Sequence, residues 1–219
     1  MTTAPTEDKD ALARTLELDI IFGRLFPNQR LIEDELMARF GQSRHRVRRA
    51  IDTLVLSGLA VREVNKGAHV CSYSGNEISH MYELRNILEE AAIGRIKLPV
   101  SQELIDDLWK QHAQQIAAVK AQDLPEVFQL NNAFHQTIFA CCGNLVLCEA
   151  IEAQARRTQP IRALNFNNSV YLDEALVEHE RMIETLQTGD LDELVLLNRA
   201  HILRPMQAYL AQYGLSSTF

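Results

Sequence analysis

Within residues 44–49, Arg-His-Arg-Val-Arg-Arg, four arginines and a histidine crowd into six positions: Arg44, His45, Arg46, Arg48 and Arg49. The chemistry that such density serves is recognition of a polyanion. Much of a protein's affinity for DNA comes from neutralising phosphates with Lys and Arg. An arginine can also present two parallel N–H donors to O6 and N7 of guanine, which reads a base as well as a charge. In a 219-residue chain of formal net charge −7, the cluster is a local exception. Residues 1–75 carry eleven Lys and Arg against ten Asp and Glu, net +1, and residues 76–219 carry eleven against nineteen, net −8. Between 39 and 66, seven basic side chains accompany two acidic ones. Charge separated in this way predicts two domains with different partners, the basic one for the polyanion.

These side chains reach a groove only if a helix presents them. Ser43 is a good N-cap, and the spacing predicts a helix from there to Leu56, stopped at Gly58. Val47, Ile51 and Leu54, four and three apart, form its inward face, which leaves His45, Arg46, Arg48 and Arg49 outward; Arg44 lies nearer the seam in the first turn, four before Arg48 and next to the capped end. Upstream, Leu12, Leu16 and Ile20 predict a helix over 11–26, broken by Pro27-Asn28. A short amphipathic helix over 32–40 follows, with acids in its first turn and Gly41 at its end. Downstream, the β-branched runs 60–64 and 68–72 flank Asn65-Lys66-Gly67 and read as a hairpin. Helix, helix, turn, helix and hairpin make a winged helix-turn-helix over residues 1–73. Lys66 adds charge at the wing tip, and Gly67 lets the backbone approach a ligand closely.

Residues 74–78 read as a polar, glycine-containing linker. Beyond it the patterning is helical throughout: 79–97, 101–121, 124–142, 145–164, 171–188 and 191–213. The fold class is mainly α, with the winged head followed by an antiparallel all-α bundle over 79–219. Hydrophobic content of 47% with 23% charged residues argues against a disordered chain. No apolar run approaches the roughly 18 residues of a membrane span, and MTTAPTEDKD lacks the layout of a secretion signal. The expectation is a soluble, cytoplasmic protein whose four cysteines, Cys71, Cys141, Cys142 and Cys148, are free thiols.

The segment FPNQRLIEDELMARFGQSRHRVRRAIDTLVLSGLAV, with the wing NKGAHV, resembles the GntR family of bacterial transcription regulators, in the FadR-like branch with an FCD-type effector domain. The chain keeps Pro27, Glu33, Leu36, Ser43, Arg44, Val47, Arg48, Ala50, Gly58 and Gly67 of that pattern. It departs at Asn28, usually Gly, and at Arg49, usually Glu. Where some members carry a further DNA-reading arginine, this chain has Asp34. In the second half, ELRNILEEAA, NNAFHQTIFACCGN, EHERMIETLQTGDLDEL and NRAHI resemble successive FCD motifs.

The resemblance implies a metal site at Asn131, His135, His179 and His201, with Asn131 standing where the family normally has aspartate. Asn131 and His135 are four apart and share one face of a helix. Three imidazoles with an oxygen ligand suit a divalent transition metal such as Zn or Ni, although an amide oxygen lacks the charge of a carboxylate. The same residues form the implied effector site, together with Arg85, which could clamp a small carboxylate or else pair with Glu89 one turn on. Arg156, Arg157 and Arg162 are alternatives in that role. The expected function is a ligand-responsive regulator, by default a repressor, binding an inverted-repeat DNA operator as a homodimer. No general-base or nucleophile motif accompanies the histidines, so an enzyme is not expected. A metal sensor, or a metalloenzyme with a DNA-binding head, is the alternative.

Overall fold

The computed structural model describes residues 11–64 and 66–216. The chain divides into two compact units between Tyr73 and Ser74.

The first unit holds α1 (Ala11–Ile21), α2 (Glu33–Phe40), α3 (Arg44–Leu56), β1 (Ala60–Glu63) and β2 (Gly67–Val70). Ser43 caps α3 by accepting the Arg46 N–H, and Gly41 closes α2 in the left-handed region at φ 63°. Val47, Ile51 and Leu54 are fully buried and meet Leu16 and Ile20 of α1 in one core. Burying such a side chain contributes about 1.5–3 kcal/mol. The strands pair antiparallel, Ala60 opposite Val70 and Glu63 opposite Gly67. Both are shorter than the alternation predicts, and Asn65, expected in the turn, lies outside the described residues.

Helix α1 is also shorter than the predicted 11–26. Gly23 takes φ 70°, and the N–H groups of Arg24 and Leu25 both turn back to the Asp19 carbonyl. The Asp19 carboxylate, buried within the apolar stripe, accepts from Arg24 at 2.5 Å and Arg39 at 2.6 Å, which ties α1 to α2.

The second unit holds α4 (Gly75–Ile93), α5 (Gln102–Lys120), α6 (Leu124–Ala140), α7 (Leu145–Ala163), a 3-10 turn over Leu164–Asn167, α8 (Ser169–Thr188) and α9 (Leu191–Gln212). Residues 74–78 are not a linker but the start of α4. Ser74 accepts the Glu77 N–H, and the Glu77 carboxylate accepts the Ser74 N–H at 2.8 Å, so the polar composition that reads as a loop is a capping box. Gly75 belongs there for a second reason: a Cβ would lie 2.0 Å from the Ser216 carbonyl oxygen.

Helix α4 packs on α7 and α9, α5 on α6 and α8, and α8 on α9. Ile93, Leu108, Phe134, Met182, Ile183 and Leu186 fill the centre of one core cluster. Polar side chains are buried beside it, on α4, α5, α6, α8 and α9. None of the described helices is long and apolar enough to cross a membrane.

Candidate metal centre, effector cavity and nucleic-acid face

In the first unit, α3 buries Val47, Ala50, Ile51 and Leu54 and exposes Arg44, His45, Arg46, Arg48 and Arg49. Two of these arginines are held by acids of α2. Arg44 donates to Asp34 at 2.6 Å and to Glu33 at 3.3 Å, while Arg48 Nε donates to Glu33 at 2.9 Å. Ion pairs this exposed contribute about 0–1 kcal/mol, so they orient the guanidinium groups more than they stabilise the fold. Arg46 donates to Gln42 at 3.0 Å. In the wing, Lys66 pairs with Glu63 at 2.7 Å, and Arg30 donates to the Lys66 carbonyl at 3.2 Å. Gly67 takes φ 82°, a conformation that disfavours a side chain although open space surrounds it.

In the second unit, His135 of α6, His179 of α8 and His201 of α9 converge. Their ligand atoms lie within 4.8 Å of one another. His135 Nε2 is 3.2 Å and His179 Nε2 is 3.4 Å from His201 Nε2. The outer nitrogens decide the tautomers. His179 Nδ1 meets Gln115 Oε1 at 2.8 Å and His201 Nδ1 meets Glu178 Oε2 at 2.7 Å. Amide and carboxylate oxygens only accept, so both histidines carry the proton on Nδ1 and turn an Nε2 lone pair inward. Glu178 is steadied in turn by Arg204, which also reaches Glu174. The Phe134 ring stacks on His179 with centroids 4.3 Å apart.

Burial holds His135 and His179 well below the ordinary histidine range. It brings His201 down to about 3, with the Arg162 charge adding to the effect. Neutral imidazole is the form that ligates. Lone pairs 3.4 Å apart repel unless a cation or a donor lies between them, so the donor set fits a divalent transition metal. Asn131, one turn before His135, is buried and lines a void of ≈ 10 Å³ with His135 and His201, about the size of one water or ion.

His135 also lines a larger cavity of ≈ 430 Å³. Phe139, Ile151 and Ala155 form apolar wall, and Arg85, Gln159 and Arg162 supply polar groups. Arg85 makes the pairing with Glu89 that the sequence offers one turn on. It lines the cavity, and it donates to Glu89 Oε1 through Nε and Nη2 at 2.9 and 2.8 Å and to Thr158 at 3.1 Å. The second Glu89 oxygen accepts from Asn198 at 2.8 Å, so the Arg85 charge is already compensated.

Arg162 differs. It is buried and donates to the neutral Asn132 at 3.2 Å, and among the described residues no carboxylate lies within ion-pair distance of it. Burial and the Arg85 charge bring its pKa down to about 10. Among the described residues, the buried Gln159 side-chain oxygen in the same wall has no hydrogen-bond partner. Arg156 reaches the cavity rim paired with Glu152 at 2.5 Å, and Arg157 is exposed. From the sequence alone no role attaches to Gln115, Glu178 or Asn198, although Glu178 opens the segment EHERMIETLQTGDLDEL and Asn198 opens NRAHI. A further signal for Glu178 was its place beside His179.

Comparisons with known proteins agree with this organisation. Residues 9–70 match the model of bacterial regulatory proteins, gntR family, and residues 80–204 match that of the FCD domain. An HTH-type transcriptional repressor, RspR of Escherichia coli, is 24% identical over 86% of this chain and 83% of its own length. An uncharacterized HTH-type transcriptional regulator, YdhC of Bacillus subtilis, is 25% identical over 77% of this chain and 75% of its own. In fold, a GntR transcriptional regulator structure from Rhodococcus sp. RHA1 superimposes with a TM-score of 0.73 at 19% identity, covering 94% of this chain and 99% of that one. The chain belongs to the gntR family of bacterial regulatory proteins with an FCD domain as its helical unit, and it is a transcriptional regulator.

Proposed function

We propose that this regulator is a repressor that binds an inverted-repeat operator as a homodimer and is controlled by a small carboxylate sensed beside a metal ion. The observation that carries the sensing reading is the double role of His135, which belongs to the histidine cluster and to the wall of the ≈ 430 Å³ cavity. A ligand in the cavity therefore touches the metal site. His135, His179 and His201 would hold the ion, with the Asn131 amide as a further oxygen donor. When bound, the ion supplies positive charge and a place for a carboxylate oxygen. Arg162 supplies the second positive group, since its charge has no acid opposite it, and Arg85 shapes the wall while remaining paired with Glu89.

On DNA, Arg44 and Arg48 read bases from the major groove, and His45, Arg46, Arg49, Lys66 and the backbone at Gly67 contact phosphates or neighbouring bases. Ligand binding acts by favouring one arrangement of the homodimer over another. The repressor name of the Escherichia coli relative supports the sign of regulation.

The test joins both halves. Purified protein is titrated onto DNA from upstream of its own gene, and small carboxylates are screened for release of that complex, with metal content measured by elemental analysis. Failure to bind any upstream site at moderate salt, with or without carboxylates, would refute the proposed repression of its own locus. Equal metal content in wild type and a His135→Ala/His179→Ala variant would refute the metal centre.

A further inference from the structure

We propose that Cys142 and Cys148 form a peroxide-reactive dithiol, an oxidative modification site at the edge of the ≈ 430 Å³ cavity that Cys148 lines. Their sulfurs lie 3.7 Å apart. Cys142 follows α6, Cys148 sits in the first turn of α7, and Gly143 at φ 65° with Asn144 reverses the chain between them. A turn, not the interior of a helix, separates the two thiols. Side-chain rotation with a small shift of that turn can therefore bring the sulfurs to the bonding distance of about 2.05 Å.

The two thiols are not equivalent. The Asn144 backbone N–H donates to Cys142 Sγ at 3.3 Å, immediately before α7 begins. The same sulfur reaches the Asn144 carbonyl at 3.7 Å, so both contacts hold Cys142 to the turn. Cys148 reaches the Phe139 carbonyl at 3.5 Å, and burial, then its contact with Cys142, pushes its thiol up. Burial makes Cys148 the harder thiol to deprotonate, so it is assigned as the resolving group and Cys142 as the attacking one. Cys141 faces elsewhere, donating to the Thr137 carbonyl at 3.3 Å, with its thiol also pushed up by burial. Cys71 belongs to the first unit.

The reaction balances with a hydroperoxide as oxidant. The Cys142 thiolate attacks one peroxide oxygen, the O–O bond breaks, and a sulfenic acid forms with release of hydroxide, which takes up a proton to become water. The Cys148 sulfur then attacks the Cys142 sulfur, the S–O bond breaks, and the Cys148 proton leaves with the hydroxyl as a second water. Two thiols are oxidised to one disulfide and one hydrogen peroxide is reduced to two waters. Both cysteines are half-buried, and Cys148 lines the cavity, which offers a small peroxide its approach. Bonding draws the Cys148 side chain toward the turn and alters the cavity wall. The thiol chemistry stands independently of what the cavity binds; only its effect on sensing rests on the proposed function.

The full-length protein, freed of reductant, is treated with a slight excess of hydrogen peroxide, and peptides are mapped by mass. The expected result is a link between Cys142 and Cys148 with loss of two hydrogens, a fall from four titratable thiols to two, and reversal by dithiothreitol. In Cys148→Ser, Cys142 should instead stop at a sulfenic acid trapped by dimedone. Persistence of all four thiols in the wild type, a link through Cys141, or a link between chains would each overturn the assignment.

Discussion

His201 Nδ1 lies 2.7 Å from Glu178 Oε2, and that hydrogen bond decides which ring nitrogen faces the histidine cluster. Glu178 is the residue immediately before His179, so one short segment of α8 both carries one histidine of the cluster and orients another on α9. Glu178→Gln, which can present either an oxygen or an amide N–H to that ring, should lower affinity for Zn or Ni by about ten- to a hundredfold. Competition against a chromophoric chelator measures it. Affinity equal to wild type would show that packing alone fixes the His201 ring.

Arg162 should matter to ligand affinity in the opposite sense from its effect on stability. Arg162→Met removes a buried charge without an acid partner, so the empty protein should melt no lower than wild type. Carboxylate affinity should fall by about tenfold or more, since hydrogen bonds to charged groups contribute about 1.5–3 kcal/mol. Calorimetric titration with any carboxylate found in the release screen, beside a thermal melt, separates the two effects. A large loss of melting temperature would assign Arg162 to the core instead.

Glu89 should be the more damaging position for folding. Glu89→Gln leaves the Arg85 guanidinium buried at 4% exposure without its counter-charge, and breaking a buried pair costs about 3–5 kcal/mol. Replacing both partners by apolar residues should recover much of that loss in a denaturant titration. A single variant as stable as the double one would contradict the pairing.

Acid should destabilise the metal-free protein. The folded-state values of His135, His179 and His201 all lie below 6.5, that of His201 at about 3. Above 6.5, the ordinary histidine value, folded and unfolded chains carry neutral rings alike, and this contribution to stability is fully present. As pH falls through it, the unfolded chain takes up protons that the folded chain refuses. Stability then declines by up to about 1.4 kcal/mol per pH unit for each ring. Urea unfolding of metal-stripped wild type between about pH 7 and about pH 5, with a His179→Phe control, checks the sign. A free energy that does not fall on acidification would mean the rings stay accessible to protons.

On DNA, Arg48→Ala should cost about 1–3 kcal/mol of specific affinity if the side chain reads a base, and Lys66→Ala should mainly reduce the salt dependence. Gel shifts at several salt concentrations distinguish them. Uniform loss on all sequences from the Arg48 change would reassign it to phosphate contact.

What the sequence determined by itself was local. The Ser43 cap, the four-three spacing of Val47, Ile51 and Leu54, and the outward arginines follow from helical periodicity within one segment, and the folded α3 keeps all of them. Periodicity also located the helices of the bundle, but not their ends. The composition of 74–78 cannot distinguish a loop from a capping box, because the same polar atoms serve either solvent or the orphan N–H groups of α4. Resemblance to FCD motifs singled out the histidines, yet only the packing of α6, α8 and α9 brings their nitrogens together.

The charge logic of the cavity was decided by tertiary structure alone. Arg85 and Arg162 are indistinguishable as isolated arginines. One meets Glu89, itself held by Asn198 from 109 positions away, and the other meets the neutral Asn132. Burial removes the water that would otherwise screen both charges, so whether each has a partner depends on which side chains the fold places beside it.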